Sequence, residues 1–233
     1  MKVAVVTPTI GTRYLKRCIS SVAAQDYTEL SHYLFIDGKK SFARTKEISS
    51  RIIKKVVLEE NVGGGGWLGH RAYASCSFLV NSDLICYLDE DNWIEPDHVS
   101  SLVNEIKSGR DWAFSLRKIY SKNGSYLFED NCESLGLWPV YNNPNSFHVD
   151  TSSYIVKTEV AAQIGHTWYK KWDADRQFFA NIRHFFPNFS CSGNYSLCYR
   201  LGGNQNSVCK EFFEIGNTLY SSRFSNFPWR VKN

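Results

Sequence analysis

Apolar residues along the chain fall into short bounded runs that alternate with stretches of helical spacing. Val3, Ala4, Val5 and Val6 form a continuous apolar run, the pattern of a strand covered on both faces. It stops at Thr7-Pro8-Thr9 and Gly11-Thr12. Across residues 13–25 the apolar positions are Leu15, Cys18, Ile19, Val22 and Ala23, which predicts a helix with Thr12 as its N-cap. A second strand is predicted over 32–36, ending at Asp37-Gly38, and a helix over part of 41–53. A third short strand, 56–58, leads into Asn61-Val62 and the glycines Gly63 to Gly66. Helical spacing returns over 67–80. A fourth apolar run, 84–88, stops in Asp89-Glu90-Asp91, and a helix follows from about Pro96 to Lys107. Strand and helix alternating in this way predict an α/β fold with a mostly parallel central sheet and helices on both faces.

Beyond residue 110 the pattern changes. A strand is predicted over 112–120, with 126–128 as its hairpin partner across Lys122-Asn123-Gly124. The stretch 138–147 is rich in proline and asparagine and is expected to be irregular. A strand is predicted over 149–156, and a short helix over 158–164 with Gly165 at its C′ position. A further helix is predicted over 173–185. The tail from Leu201 is expected either to fold back over the site or to be partly loose. The whole is expected to be one domain, with a first half at 1–110 and a second at 111–233.

Composition narrows the class. The chain has 233 residues, 43% apolar and 21% charged, ordinary for a globular protein. A net charge of +4 without any long Lys/Arg block leaves no nucleic-acid footprint. The mild basic bias suits a phosphate-bearing small ligand, or peripheral contact with an anionic membrane surface. The cysteines number seven, an odd count with no CxxC pair, which points to buried thiols in a reduced, cytoplasmic protein. The glycosylation triplets at Asn123, Asn188 and Asn194 carry little weight, because the chain opens on a strand and not on a signal peptide. No apolar run reaches the roughly 18 residues of a membrane span.

Two stretches carry candidate chemistry. In an open α/β sheet, ligands bind outside the carboxyl ends of the strands. Acids at such an end suit a hard divalent cation, Mg²⁺ or Mn²⁺. They equally suit the start of the helix after Glu95-Pro96-Asp97, and spacing alone does not separate the two. The glycine run sits where a phosphate loop would, yet it has neither GxGxxG spacing nor a GK[ST] ending. What remains is close backbone approach to a ligand, a mobile flap, or a plain turn.

Taken together, Thr7-Pro8-Thr9, Asp37, Asn61-Val62-Gly63 and Asp89-Glu90-Asp91 each follow a strand. In this order they resemble family 2 glycosyltransferases of the GT-A fold. The likeness is close over residues 1–107 and looser through Asp150-Thr151-Ser152 and Asp173-Ala174-Asp175. It implies metal-dependent transfer of a sugar, with inversion, from a nucleoside diphosphate sugar to a hydroxyl on a glycan or other acceptor. UDP is the nucleotide commonest in the family. The likeness further implies that Thr7, Pro8 and Thr9 line the nucleobase and ribose, and that Asp37 bonds the base. Asn61 and Gly63 would border the nucleotide, and Arg71 would face the diphosphate. Asp89 and Glu90 would lie at the donor, with Asp91 and Asp89 at Mn²⁺ or Mg²⁺. Asp175 would be the general base, with Asp173 and Asp150 as fallbacks. The departure from the family is the glycine stretch with Trp67, which bears on Arg71.

Lesser candidates are His148 as an extra metal ligand, and Asp130 and Glu133 as contacts to donor sugar or acceptor. Trp67, Trp138 and Trp172 could stack on sugar faces or simply pack. Two other functions compete. A metal-dependent sugar nucleotidyltransferase would usually have a glycine-rich basic loop after the first strand, where this chain has Ile10-Gly11-Thr12-Arg13. A non-catalytic nucleotide- or carbohydrate-binding module would bind donor without turnover.

Overall fold

The structure is a computed structural model and describes residues 1–202 and 208–230. Its first half alternates as β1 (Val3–Thr9), α1 (Leu15–Ala23), β2 (Leu30–Asp37), α2 (Lys39–Thr45), β3 (Ile53–Leu58), α3 (His70–Ser75) and β4 (Leu84–Tyr87). All these strands are parallel, with Val3 opposite both Leu30 and Leu84, and His32 opposite Ile53. β5 (Trp93–Ile94) and α4 (His98–Lys107) follow. Then come β6 (Trp112–Tyr120), β7 (Tyr126–Glu129), β8 (Pro139–Val140), β9 (Asn143–Phe147) and β10 (Tyr154–Lys157). The chain closes with α5 (Thr158–Ile164), α6 (Ala174–Phe185), β11 (Phe189–Arg200) and α7 (Lys210–Arg223).

The main sheet runs β3-β2-β1-β4-β10-β6-β11-β5, with β7 beside β6, and β8 and β9 form a separate ribbon. β10 is antiparallel to both β4 and β6, so the sheet continues without a break from the parallel half into the mixed one. Alternation along β1 explains its unbroken apolar run. Val3 and Val5 face a cluster built with Cys18, Val22, Val99 and Leu102 from α1 and α4. Ala4 and Val6 face the opposite cluster, with Tyr73, Tyr87, Trp112, Trp168, Phe178 and Phe179. Trp168 and Phe178 are fully buried and stack at 4.3 Å, so truncating either to Ala would cost about 3–5 kcal/mol.

Several local expectations are corrected. Thr12 is not the N-cap of α1, which is Tyr14; the Thr12 hydroxyl instead accepts the Tyr14 amide at 3.3 Å. Gly165 is not left-handed (φ −54) but opens a 3₁₀ turn. A Cβ there would meet the Ala74 carbonyl oxygen at 2.8 Å, so glycine serves close packing against α3. The helix expected over 67–80 is helical only from His70, because the glycine loop extends through Gly69. The expected strand over 149–156 begins as a 3₁₀ turn at Thr151–Ser153, leaving only β10 in the ladder. The stretch 138–147 holds the β8–β9 ribbon, and β11 is a strand of 12 residues that the pattern did not announce. The tail contributes α7 and the buried Trp229; its residues 203–207 and 231–233 lie outside the described residues.

Candidate active site

The strand order reverses at β1, with β2 on one side and β4 on the other, and ligands of open α/β sheets bind at such a reversal. A cleft of about 650 Å³ opens there, within the range of small-molecule sites. Pro8, Thr9, Asp37, Asn61, Gly63, Asp89, Glu90, Asp91, His148, Asp150, Asp173 and Asp175 all line it. Two of the residues expected at the donor do not. Thr7 is fully buried, with its hydroxyl 2.9 Å from His32 Nε2. Arg71 lies over the Trp67 ring at 3.9 Å and donates to the Val62 carbonyl at 3.2 Å, bracing the glycine loop from outside the cleft.

At the β2 end, Asp37 organises the glycine loop. Its Oδ1 accepts the Val62 amide at 2.7 Å and its Oδ2 the Gly63 amide at 2.9 Å. A Cβ on Gly63 would meet the Leu68 carbonyl oxygen at 2.2 Å and Asp37 Oδ2 at 2.7 Å, so only glycine lets this backbone reach the carboxylate. Leu68 (φ 51) and Asp173 (φ 63) are the non-glycine residues with left-handed backbone among the described residues, and both line the cleft.

The three acids after β4 have different surroundings. Asp89 accepts the Tyr73 hydroxyl at 2.8 Å, and its amide donates to the Ser152 hydroxyl at 3.1 Å. Burial, then the charges of Asp91 and Asp150, push its carboxyl up to about 8. Burial and Glu90 push Asp91 up to about 6. Glu90 instead turns back to the β1–α1 loop. It accepts the Thr9 hydroxyl at 2.6 Å, the Ile10 amide at 3.2 Å and the Thr12 amide at 3.1 Å.

Across the cleft lies a buried ionic knot. Arg117 bonds Asp130 at 2.8 Å, Asp150 at 2.6 Å, and Glu133. Asp130 is fully buried and also accepts the amides of Cys132, Glu133 and Ser134, so it is framework and reaches no ligand. Burial alone would raise its carboxyl, but Arg117 and these amides hold it below the usual range. Glu133 is shared with Arg176 at 3.1 Å. Asp150, one of the two fallback bases, spends Oδ2 on Arg117 and Oδ1 on the Ser152 amide.

Asp175 stands in the first turn of α6. Its Oδ2 lies 3.9 Å from His148 Nε2, and its Oδ1 accepts the Arg176 amide at 2.8 Å. Burial works to raise its carboxyl, but His148, the Arg176 amide and guanidinium, and His70 outweigh it, so the group stays ionised. Asp173 occupies the left-handed residue just before α6, 3.8 Å from Arg176 Nε. The chain also brings Tyr14, His70, Tyr73, Arg117, Lys171 and Arg176 to the cleft, none of them singled out by motif. Arg117 did leave a signal, a charge in the middle of an apolar strand. Of the tryptophans, Trp172 is 71% exposed on the cleft, Trp138 packs against Phe224 and Trp229, and Trp67 serves Arg71.

Asp89 and Asp91 are hard oxygen donors whose charges oppose each other, which suits a divalent cation. Among the described residues no group of three His, Cys, Asp or Glu is arranged to hold a metal unaided, and His148 completes none. A cation here would draw further oxygens from its ligand and from water, as Mg²⁺ does with one or two carboxylates and substrate phosphates.

Residues 4–172 match the sequence profile of glycosyl transferase family 2. The chain belongs to this family. No curated protein sequence matches it. Among solved structures, Staphylococcus aureus TarS 1-349 aligns over 86% of this chain and 60% of its own, at 17% identity and a TM-score of 0.59. TarS 1-349 in complex with UDP-GlcNAc aligns over 92% of this chain and 64% of its own, at 17% identity and a TM-score of 0.64. TarS 1-349 in complex with UDP aligns over 98% and 67%, at 17% identity and a TM-score of 0.61. At this identity the likeness concerns the fold, and the chain spans 60% of the first of these structures. The family match stops at residue 172, one short of Asp173, so α6 and its acids enter through their geometry.

For a family 2 fold, this cleft divides its acids into two kinds. Those around Arg117 are ion-paired with it, whereas among the described residues no group of opposite charge is bonded to the carboxylates of Asp89 and Asp91. Among the described residues no helix is long and apolar enough to cross a membrane. The cysteines are free and buried except for the exposed Cys209.

Proposed function

We propose that the protein transfers a sugar from a UDP-sugar to a glycan hydroxyl with inversion. The observation that carries this reading is the pair Asp89 and Asp91, crowded together with no counter-charge bonded to their carboxylates among the described residues, in a cleft that also holds the ionised Asp175. TarS binding UDP and UDP-GlcNAc supports the choice of nucleotide. Pro8, Asn61 and Gly63 line the part of the cleft where the base would lie, and each Asp37 oxygen keeps a lone pair that could accept the base's imide N–H.

In the step itself, the acceptor O–H gives its proton to the Asp175 carboxylate while its oxygen bonds the anomeric carbon. The bond from that carbon to the diphosphate oxygen breaks, and its electron pair leaves with the diphosphate. Attack from the side opposite the leaving group inverts the centre. A divalent cation held by Asp91 and Asp89 would supply Lewis-acid stabilisation of the leaving diphosphate. Asp175 is ready as base because His148 and Arg176 favour its charged form.

A nucleotidyltransferase fits less well. Such an enzyme would present the amides after its first strand to phosphates, and here the Ile10 and Thr12 amides are held by Glu90. Calorimetry of UDP with and without Mn²⁺ tests the proposal. Wild type should need the cation for tight binding, and Asp91→Ala should lose that dependence. Unchanged cation-dependent affinity in the variant would refute the role given to Asp91.

A further inference from the structure

Beside the cleft stands a ladder of guanidinium groups and aromatic rings. Arg17 lies 3.4 Å over the Trp93 ring, and Arg200 lies 4.9 Å from the same ring. Arg200 also lies 4.6 Å over Tyr14, and Arg13 lies 5.0 Å from that ring. The rungs therefore run Arg17, Trp93, Arg200, Tyr14, Arg13. Tyr14 lines the cleft, which places the ladder on its flank.

Among the described residues none of these arginines forms an ion pair with a carboxylate. The contrast with Arg117 is sharp. Arg117 is 2% exposed and has three carboxylates, whereas Arg200 is 5% exposed and, among the described residues, its guanidinium bonds the carbonyls of Asp91, at 3.0 Å, and Lys122, at 2.9 Å. The ladder thus gathers three positive charges, and the middle one, Arg200, is buried. Burying a charge without a partner is costly, so the arrangement favours an anion arriving from outside.

We propose that Arg13, Arg17 and Arg200 form an anion subsite that takes a phosphate group carried by the acceptor. Planar guanidinium forks match phosphate oxygens in pairs, and rings stacked between them fix their orientation. The assignment to the acceptor, which rests on the glycosyltransfer proposal, follows from position. Pro8, Asp37, Asn61 and Gly63 gather at the β2 side of the cleft, whereas Arg13 and Arg17 are exposed beyond Tyr14, outside its lining. A group reaching them must extend out of the mouth of the cleft, as a chain-like acceptor does and a donor bound inward does not.

The test is an NMR titration with inorganic phosphate at constant ionic strength, read at the Trp93 indole N–H, with saturating UDP and Mg²⁺ present. Saturable shifts are expected with UDP bound, weakened several-fold in Arg17→Ala and more than tenfold in the Arg13→Ala/Arg17→Ala double variant. Both side chains are exposed, so the fold should survive, and the Tm checks it. Shifts that do not saturate, that match wild type in the double variant, or that UDP abolishes would overturn the proposal. The last result would return the ladder to the donor's diphosphate. Binding of phosphatidylglycerol vesicles that the double variant loses, without saturable phosphate binding, would overturn it in favour of a membrane surface. Because phosphate is titrated apart from the cation dependence of UDP binding, failure here and failure of the transferase proposal are separately visible.

Discussion

The acids around Arg117 and the acids after β4 flank the same cleft, and they contrast in how their charge is met. Asp130, Glu133 and Asp150 converge on one guanidinium and on backbone amides. Asp89 and Asp91 face one another's charge, and among the described residues Asp89 meets only the hydroxyls of Tyr73 and Ser152. Residue type does not separate the two groups. What separates them is whether the fold itself supplies the counter-charge. Where it does, the acids are framework that fixes β6, β10 and the loop after β7. Where it does not, the acids are the ones that the proposed function gives to a ligand.

The largest effect should come from the acid that stands apart from both groups. Asp175→Asn should lower the transfer rate by about 10²–10⁴-fold while leaving UDP binding within about twofold. A transfer rate near wild type would move the base elsewhere. The framework side is tested by Arg117→Met. It should destabilise the protein by about 3–5 kcal/mol, measured by denaturant unfolding, because it strands buried carboxylates. A loss under about 1 kcal/mol would show that these acids do not depend on Arg117.

The same contrast predicts opposite pH dependences. Asp89 and Asp91 hold protons in the fold that the unfolded chain gives up near pH 4, so between about pH 4 and 8 the native state binds more protons. Stability should then fall as pH rises through that window, by about 1.4 kcal/mol for each unit of upward shift. Asp130 and Asp175, held below the usual range, act the other way: their contribution is present above about pH 4 and is lost as pH falls through their folded values. Thermal unfolding from pH 5 to 8, with and without Mn²⁺, reads the difference. The cation should raise the Tm more at pH 8 than at pH 5, and an equal rise at both would contradict an uncompensated acid pair.

What could be read before any coordinates follows this division. The parallel half was legible because each of its strands is a bounded apolar run feeding a helix, and its site residues sit at strand ends. Asp37, Asn61, Gly63, Asp89 and Asp91 all reached the cleft. Thr7 and Arg71 did not, because which way a strand-end side chain turns, and what a helical arginine stacks on, depend on neighbours distant in sequence. The mixed half was less legible. β11 alternates serine, cysteine and aromatics around a bulge near Gly193, and no simple period survives that. Tyr73 and Arg176 look like ordinary helix residues until the sheet brings them to Asp89 and Glu133.

Glu90 marks the boundary between the two groups, and its substitution should have the smallest effect. It sits between Asp89 and Asp91, yet its carboxylate is spent on a hydroxyl and two amides of the β1–α1 loop. Glu90→Gln keeps one accepting oxygen but turns an NH₂ group toward donors, so one or two of these bonds must go. Each is charge-assisted but partly open to water, and the expected loss is about 1 kcal/mol. UDP affinity should change little, because the loop relaxes without removing anything that meets the donor. If instead cation-dependent UDP binding collapsed while the Tm held, Glu90 would belong with Asp89 and Asp91, and satisfied hydrogen bonds would no longer suffice to tell framework acids from site acids in this cleft.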